Sequence, residues 1–240
     1  MAYADLHCHL LWATDDGCRD AAESLELCAA LVANGFSEAA PTPHAWPELP
    51  GAAANAARRE ELARLLAEKG VALAPHAGAE NRLDGELLER IAREDARPLG
   101  AGKWLLAEAQ HTLPHPGLEQ LCFRLRVAGY RVLVAHPERC RAFRDDADLG
   151  RRLVESGCAL QLELGTLAGI YGKDAMKAAR KLLDAGLYAV AASDVHRPQS
   201  GIRLLEQGLP ALRKAVGEAA LTLLLDENPR RILRGEALAA

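Results

Sequence analysis

The 240 residues, half of them apolar, suffice for one sizeable core, which excludes a disulfide-stapled miniature scaffold or a disordered tail. Twenty-nine basic against 33 acidic residues leave a net charge of -4, which gives no electrostatic reason to expect nucleic acid or an anionic membrane as partner. No uncharged apolar stretch approaches the roughly 18 to 20 residues of a membrane span, and the first nine residues hold Asp5, His7 and His9. Neither anchor nor signal peptide is therefore expected, and the six cysteines, never in a Cys-x-x-Cys pair, are expected to be reduced core residues of a cytoplasmic protein.

Short β-rich apolar runs alternate with amphipathic stretches from one end to the other. Strands are predicted over residues 2–7, 36–41, 71–77, 104–109, 131–135, 158–164 and 188–193. Helical patterns lie between them at 20–33, 55–69, 118–128, 146–156 and 174–185. Several of these close on a glycine (Gly35, Gly70, Gly129, Gly157, Gly186), the residue that most readily adopts the left-handed conformation at a helix end. This βα alternation argues a parallel sheet with helical crossovers, and no linker interrupts it, so a single domain over residues 1–240 is expected. Seven strands allow about 34 residues per unit, near the roughly 30 that a βαβ crossover needs. A seven-unit barrel and a doubly wound open sheet fit this pattern equally.

The residues at the strand ends separate the two architectures. The first strand runs into Asp5-Leu-His7-Cys-His9, with His7 and His9 on one face. Thr42-Pro-His44 comes after the second, Gly78-Ala-Glu80 after the third, Glu108 lies on the fourth, His136-Pro-Glu-Arg139 comes after the fifth and Ser193-Asp194-Val-His196 after the seventh. In a parallel barrel these ends converge on one mouth, whereas in an open sheet they are strung along a line. The distorted (β/α)7 barrel is the preferred α/β architecture.

Counting Asp16, nine imidazoles and carboxylates converge: His7, His9, Asp16, His44, Glu80, Glu108, His136, Asp194 and His196. That exceeds the ligand set of one catalytic zinc and suffices for two or three divalent ions, with zinc, manganese and iron all compatible with nitrogen and oxygen donors. Clustered divalent ions lower the pKa of bound water and absorb charge during displacement, so hydrolysis is the expected chemistry. Arg139 is placed for a two-pronged contact with a phosphate, and Arg197 comes directly after His196. The residues six after each cysteine are Thr14, Ser24, Asn34, Ala128, Asp146 and Leu164, so a cysteine phosphatase, which needs arginine there, is excluded. The Asp146-x-Asp148 pair opens a helical pattern rather than ending a strand, and no Gly-rich nucleotide cradle occurs.

These motifs resemble the PHP (polymerase and histidinol phosphatase) superfamily. So do Asp15-Asp16-Gly17, Ala135-His-Pro-Glu-Arg139, Gln161, Gly165-Thr-Leu-Ala-Gly169-Ile-Tyr-Gly172 and Glu227-Asn-Pro-Arg230. Within it they are most similar to the bacterial manganese-dependent protein-tyrosine phosphatases of capsule and exopolysaccharide operons. The resemblance implies a PHP-type barrel, a trinuclear site built from the nine residues, with Asp16 and Arg139 as catalytic residues, and manganese favoured. It further implies hydrolysis of phosphotyrosine on a tyrosine autokinase, with Arg139 holding the phosphate and Arg197, or Arg203 a little further on, completing the clamp. A small phosphomonoester such as histidinol phosphate is the alternative substrate, and a non-catalytic metal-binding scaffold the alternative role. Ala45 stands where the family usually has a second histidine. Glu163 shares the strand parity of Gln161, as an extra carboxylate near the site or the partner of an arginine. His76, His111 and His115 match no motif position and are expected to serve in loops or core.

Overall fold

The computed structural model describes residues 2–112 and 115–238. In chain order the elements are β1 (Tyr3–Cys8), α1 (Ala21–Ala33), β2 (Phe36–Pro41), β3 (His44–Ala45), α2 (Ala52–Lys69), β4 (Ala74–Pro75), β5 (Glu80–Arg82), α3 (Leu87–Ala92) and β6 (Trp104–Glu108). After these come α4 (Leu118–Val127), β7 (Arg131–Ala135), α5 (Arg141–Asp145), α6 (Leu149–Glu155), β8 (Ala159–Glu163), α7 (Leu164–Leu167), α8 (Gly172–Asp184), β9 (Tyr188–Ala192), α9 (Pro198–Thr222) and α10 (Asn228–Leu233). None of these helices is long and apolar enough to cross a membrane.

All strand pairs are parallel, in two sheets ordered β1-β2-β4 and β3-β5-β6-β7-β8-β9. The two sheets are parts of one ring. β2 and β3 are a single strand position interrupted at Thr42-Pro43, where proline has no N–H for the ladder. Likewise β4 and β5 share one position, so the seven expected strand positions hold nine segments. The ring closes between β1 and the residues after β9: the Asp194 N–H donates to the His7 carbonyl at 2.7 Å and the His9 N–H to the Val195 carbonyl at 2.8 Å. Across the same seam the buried Asp5 carboxylate accepts from the Ser193 hydroxyl and, at 3.0 Å, from the Ser193 N–H.

The third strand departs from expectation. A continuous run over 71–77 is absent, because Leu73 turns back on Val71, Pro75 ends the first piece, and the ladder resumes only at Glu80. The consequence is useful for the site, since His44 of β3 then pairs in register with Glu80 of β5. The long α9, which the periodicity does not predict, packs along α7 and α1 and kinks at Gly217.

The core is divided by the ring. Outward-facing Leu105, Val132, Val134, Leu160 and Leu162 pack with helix residues such as Leu27, Leu125 and Leu205. A second cluster joins Leu106, Leu133, Ala135, Ala159 and Val190 to Trp104 at the start of β6 and to Ile232 and Leu233 of α10. α10 thus plugs the N-terminal end of the strands, and the C-terminal end is left to polar residues. All six cysteines are buried and unpaired, as core residues.

Candidate metal centre

The nine residues singled out from the sequence fall into four overlapping groups, within each of which the donor atoms lie no more than 4.8 Å apart. These are His9, Asp16, His44 and His196; His7, His9 and Asp194; His7, Glu80 and His136; and His44, Glu80 and Glu108. Glu80 is the hub. One of its oxygens lies 2.9 Å from His44 Nδ1, 3.3 Å from His7 Nε2 and 3.5 Å from His9 Nε2, and the other 3.0 Å from His136 Nε2. Asp194 Oδ1 reaches His7 Nε2 at 3.2 Å and His9 Nε2 at 3.3 Å.

Two residues that end strands, His136 (φ 30°) and Asp194 (φ 54°), hold left-handed backbone conformations. Such conformations are uncommon away from glycine and cost free energy that the surrounding fold must supply, and here they sit at the cluster itself. The imidazoles are oriented from behind. His7 Nδ1 is 3.0 Å from Gln161 Oε1, and His9 Nδ1 is 2.6 Å from Asp15 Oδ2, so in each ring Nδ1 donates away from the centre and Nε2 faces it. Asp15 also accepts from the backbone N–H groups of Gly17 and His44, which ties the loop after β1 to β3. Gly17 is obligatory in that loop, because a Cβ there would lie 2.4 Å from the His9 carbonyl oxygen.

The donor set fits cations. The two Nε2 atoms of His7 and His9 face each other at 3.4 Å, an arrangement that calls for a proton or a cation between or beside them. His44 Nδ1 and Asp194 Oδ1 are buried without a satisfying hydrogen bond. Burial disfavours the imidazolium of His7, yet Glu80 and Asp194 raise its pKa to about 9; the same imidazoles hold Glu80 well below the carboxylate range despite its burial. Burial and the Glu80 charge lift Glu108 to about 7, whereas a hydrogen bond from His196 lowers the exposed Asp16 to about 2. Without cations, protons fill the positions that metal ions compete for.

Arg139 lies against this cluster. Its guanidinium donates to Asp194 Oδ2 at 2.7 Å and rests 4.3 Å over the Tyr171 ring. Arg197 is differently engaged: its guanidinium is 3.4 Å from Glu23, which Arg19 also pairs with, while Arg203 is exposed on α9. Glu163 is paired with no arginine among the described residues and instead caps α7, accepting from the Gly165 N–H at 2.9 Å and the Thr166 hydroxyl at 2.7 Å.

Three residues at the site carry roles that sequence reading did not assign. Asp15 stands beside Asp16, and only the fold shows that it is the buried one that orients His9. His111, expected to be a bystander, lies 3.3 Å from both Glu108 Oε1 and His136 Nδ1. Burial, with His136 and Arg139, lowers its pKa to about 4, and its position three residues after Glu108 was the available signal. Trp46 stacks on His44, ring centroids 4.3 Å apart at 20°. His76, paired with Glu38, and His115, bonded to the Leu83 carbonyl, lie in other surroundings.

Known proteins share both this fold and much of this sequence. A family model described as capsular polysaccharide synthesis, CpsB/CapC, matches residues 3–234. Tyrosine-protein phosphatase YwqE of Bacillus subtilis is 34% identical, over 98% of this chain and 92% of its own. Tyrosine-protein phosphatase CpsB of Streptococcus pneumoniae is 27% identical, over 98% of this chain and 99% of its own. A crystal structure from a study of YwqE and CpsB, described there as unique metal-dependent tyrosine phosphatases, superposes with a TM-score of 0.91 at 33% identity, covering 98% of this chain and 96% of that one. The phosphotriesterase homology protein of Escherichia coli, crystallised with phosphate, shares the fold alone, at a TM-score of 0.58 and 15% identity over 96% of this chain and 98% of that one.

Proposed function

The chain belongs to the capsular polysaccharide synthesis CpsB/CapC family, and from that premise we propose that it is a metal-dependent protein-tyrosine phosphatase whose protein substrate is a tyrosine autokinase of polysaccharide biosynthesis. The observation that carries the reading is the set of inward-facing imidazole and carboxylate donors around Glu80 and Asp194, in a chain whose relatives are named as tyrosine phosphatases. His7, His9, Asp16, His44, Glu80, Glu108, His136, Asp194 and His196 would hold two to three divalent ions, manganese favoured over iron or zinc, in a cytoplasmic enzyme. Divalent cations in such a donor set supply Lewis acidity toward a phosphoryl oxygen and toward water.

The chain's own residues do the rest. Asp15 and Gln161 fix the tautomers of His9 and His7, so that the site is preorganised before substrate arrives. The Arg139 guanidinium, held by Asp194 and the Tyr171 face, keeps donors free for phosphate oxygens and acts as the catalytic phosphate-binding residue. Asp16, two-thirds exposed at the rim and ionised, stands 3.6 Å from His44 and 3.5 Å from His196, on the face of the cluster open to solvent. Arg197 approaches the phosphate only by leaving Glu23.

The test is hydrolysis of a phosphotyrosine peptide by purified protein, with and without chelator, beside a His136→Ala variant. Turnover that disappears with chelator and in the variant is expected. Full metal occupancy with no hydrolysis of any aryl phosphate refutes the reading, and a higher kcat/KM for histidinol phosphate moves the assignment to small phosphomonoesters.

A further inference from the structure

Beside the metal centre lies a second cleft. It has two lobes, of about 140 and 180 Å³, which share Ala52, Asn55 and Arg97 in their walls. Trp46 separates it from the centre: one lobe is lined by Trp46, while the same ring stacks on His44, and the lining residues Ala45 and Ala79 are the chain neighbours of His44 and Glu80.

The walls offer donors with little to accept from them. Arg59 and Arg97 make no ion pair among the described residues, and each lines the cleft. Arg90, 3% exposed, gives its terminal nitrogens to Asp84 and the Arg82 carbonyl, but its Nε is buried with no partner. The indole N–H of Trp46 is likewise buried and unpartnered. Asn55, 8% exposed, lines both lobes, and its Oδ1, an acceptor, is buried without a partner among the described residues. Asp95 is the one acidic residue in the lining, and Arg93 already pairs with it at 3.2 Å. Unpaired buried donors are costly to leave empty, so the cleft calls for an anionic, oxygen-bearing group.

We propose that this cleft binds an acidic side chain flanking the phosphotyrosine of the substrate polypeptide. The inference rests on the phosphatase reading of the metal centre. A peptide with its phosphate at the metal centre and its backbone crossing Trp46 carries a neighbouring residue toward the cleft that Trp46 borders, whose walls hold Arg97 and Arg59. A carboxylate there meets two uncompensated guanidinium groups, and the affinity it adds appears in KM rather than in the chemical step.

The experiment compares kcat/KM of the full chain for two phosphotyrosine peptides that differ only in flanking glutamates or glutamines. An approximately tenfold preference for the acidic peptide is expected, carried by KM. In an Arg59→Gln/Arg97→Gln variant the two peptides converge, and in Arg59→Glu/Arg97→Glu a lysine-flanked peptide is preferred. Equal turnover of both peptides by the unmodified protein, or a preference that survives both variants, overturns the proposal. Binding without catalysis is read separately, from the Trp46 fluorescence of chelator-treated protein with Trp46→Phe as blank, titrated with the unphosphorylated acidic peptide and with inorganic phosphate. Peptide binding that is lost in the arginine variants supports the cleft even if neither phosphopeptide is hydrolysed, an outcome that refutes the phosphatase reading alone. Phosphate binding with no discrimination between peptides shows a free-anion site and overturns the assignment to the substrate's flank.

Discussion

Glu163→Gln isolates the cost of a carboxyl group buried without a counter-ion. Glu163 is fully buried, and its hydrogen bonds come from the neutral Gly165 N–H and Thr166 hydroxyl. Burial first, and the Asp194 charge second, push its pKa from 4.5 up to about 8. The unfolded chain therefore releases this proton near pH 4.5 and the folded chain near pH 8. Within that window the folded state binds more protons, so the group's contribution is complete below the lower value and is lost as pH rises through the higher one. At ~1.4 kcal/mol per pH unit the loss has a ceiling of roughly 5 kcal/mol. Relaxation of the surroundings, equivalent to an effective dielectric near 20, brings the expected change to about 2 to 3 kcal/mol. Glutamine keeps its one oxygen for the Gly165 N–H, turns its NH₂ to donate to the Thr166 hydroxyl oxygen, and does not titrate. The assay is urea unfolding of chelator-treated protein and variant at pH 5, 6.5 and 8. The two should match within about 1 kcal/mol at pH 5, and the variant should lead by about 2 to 3 kcal/mol at pH 8. A difference that stays constant with pH refutes the argument, and one in which the natural protein gains with pH shows that the carboxylate is ionised and stabilised in the fold.

Other substitutions probe the centre. Asp15→Asn removes the charge that holds His9 Nδ1 at 2.6 Å, and metal affinity by calorimetric titration should fall about 10- to 100-fold; unchanged affinity would remove Asp15 from its orienting role. Arg139→Lys keeps the charge but loses the planar fork, so KM for an aryl phosphate should rise about tenfold with kcat changed less, whereas an unaltered KM assigns the phosphate to another cation. Gly17→Ala forces a methyl group to within 2.4 Å of the His9 carbonyl oxygen. It should lower both melting temperature, by about 1 to 3 kcal/mol of stability, and metal content measured by elemental analysis; a variant with full metal content shows that the loop has another conformation available.

Much of this site is legible because strand ends are legible. His7, Glu80, His136 and Asp194 each come after an apolar run, and a parallel ring needs no further information to bring such ends together. What escapes is set by folding in three dimensions. Asp15 and Asp16 are adjacent in sequence, but the turn at Gly17 buries one against His9 and leaves the other at the rim. His111 reaches His136 across a loop whose course no periodicity encodes. The third strand reads as continuous over 71–77, yet Pro75 withholds a donor and the register jumps to Glu80. In α9, Gly201, Gly208 and Pro210 look like helix breakers in sequence. The two glycines are close-packing points, since a Cβ would lie 2.8 Å from Leu27 Cδ2 at the first and 2.7 Å from the Leu164 carbonyl oxygen at the second. Arg197 stands in a suggestive position in the sequence, and only the fold shows that Glu23 engages it.

The seam between β1 and the residues after β9 also sets a timetable. His7 and His9 are made some 190 residues before Asp194 and His196, which stand beside them in the finished molecule. Joining ends so far apart carries a large chain-closure penalty, although that penalty grows only logarithmically with length. The nascent chain can hold imidazoles in abundance and still lack the full centre, because Asp194 and His196 come only after β9. Competence and completeness therefore arrive together: a polypeptide cut short before β9 lacks Asp194 and the backbone hydrogen bonds that fix His7 and His9. Cations that bridge those residues would fasten β1 to the residues after β9, two segments far apart in sequence, and so report that the ring has closed.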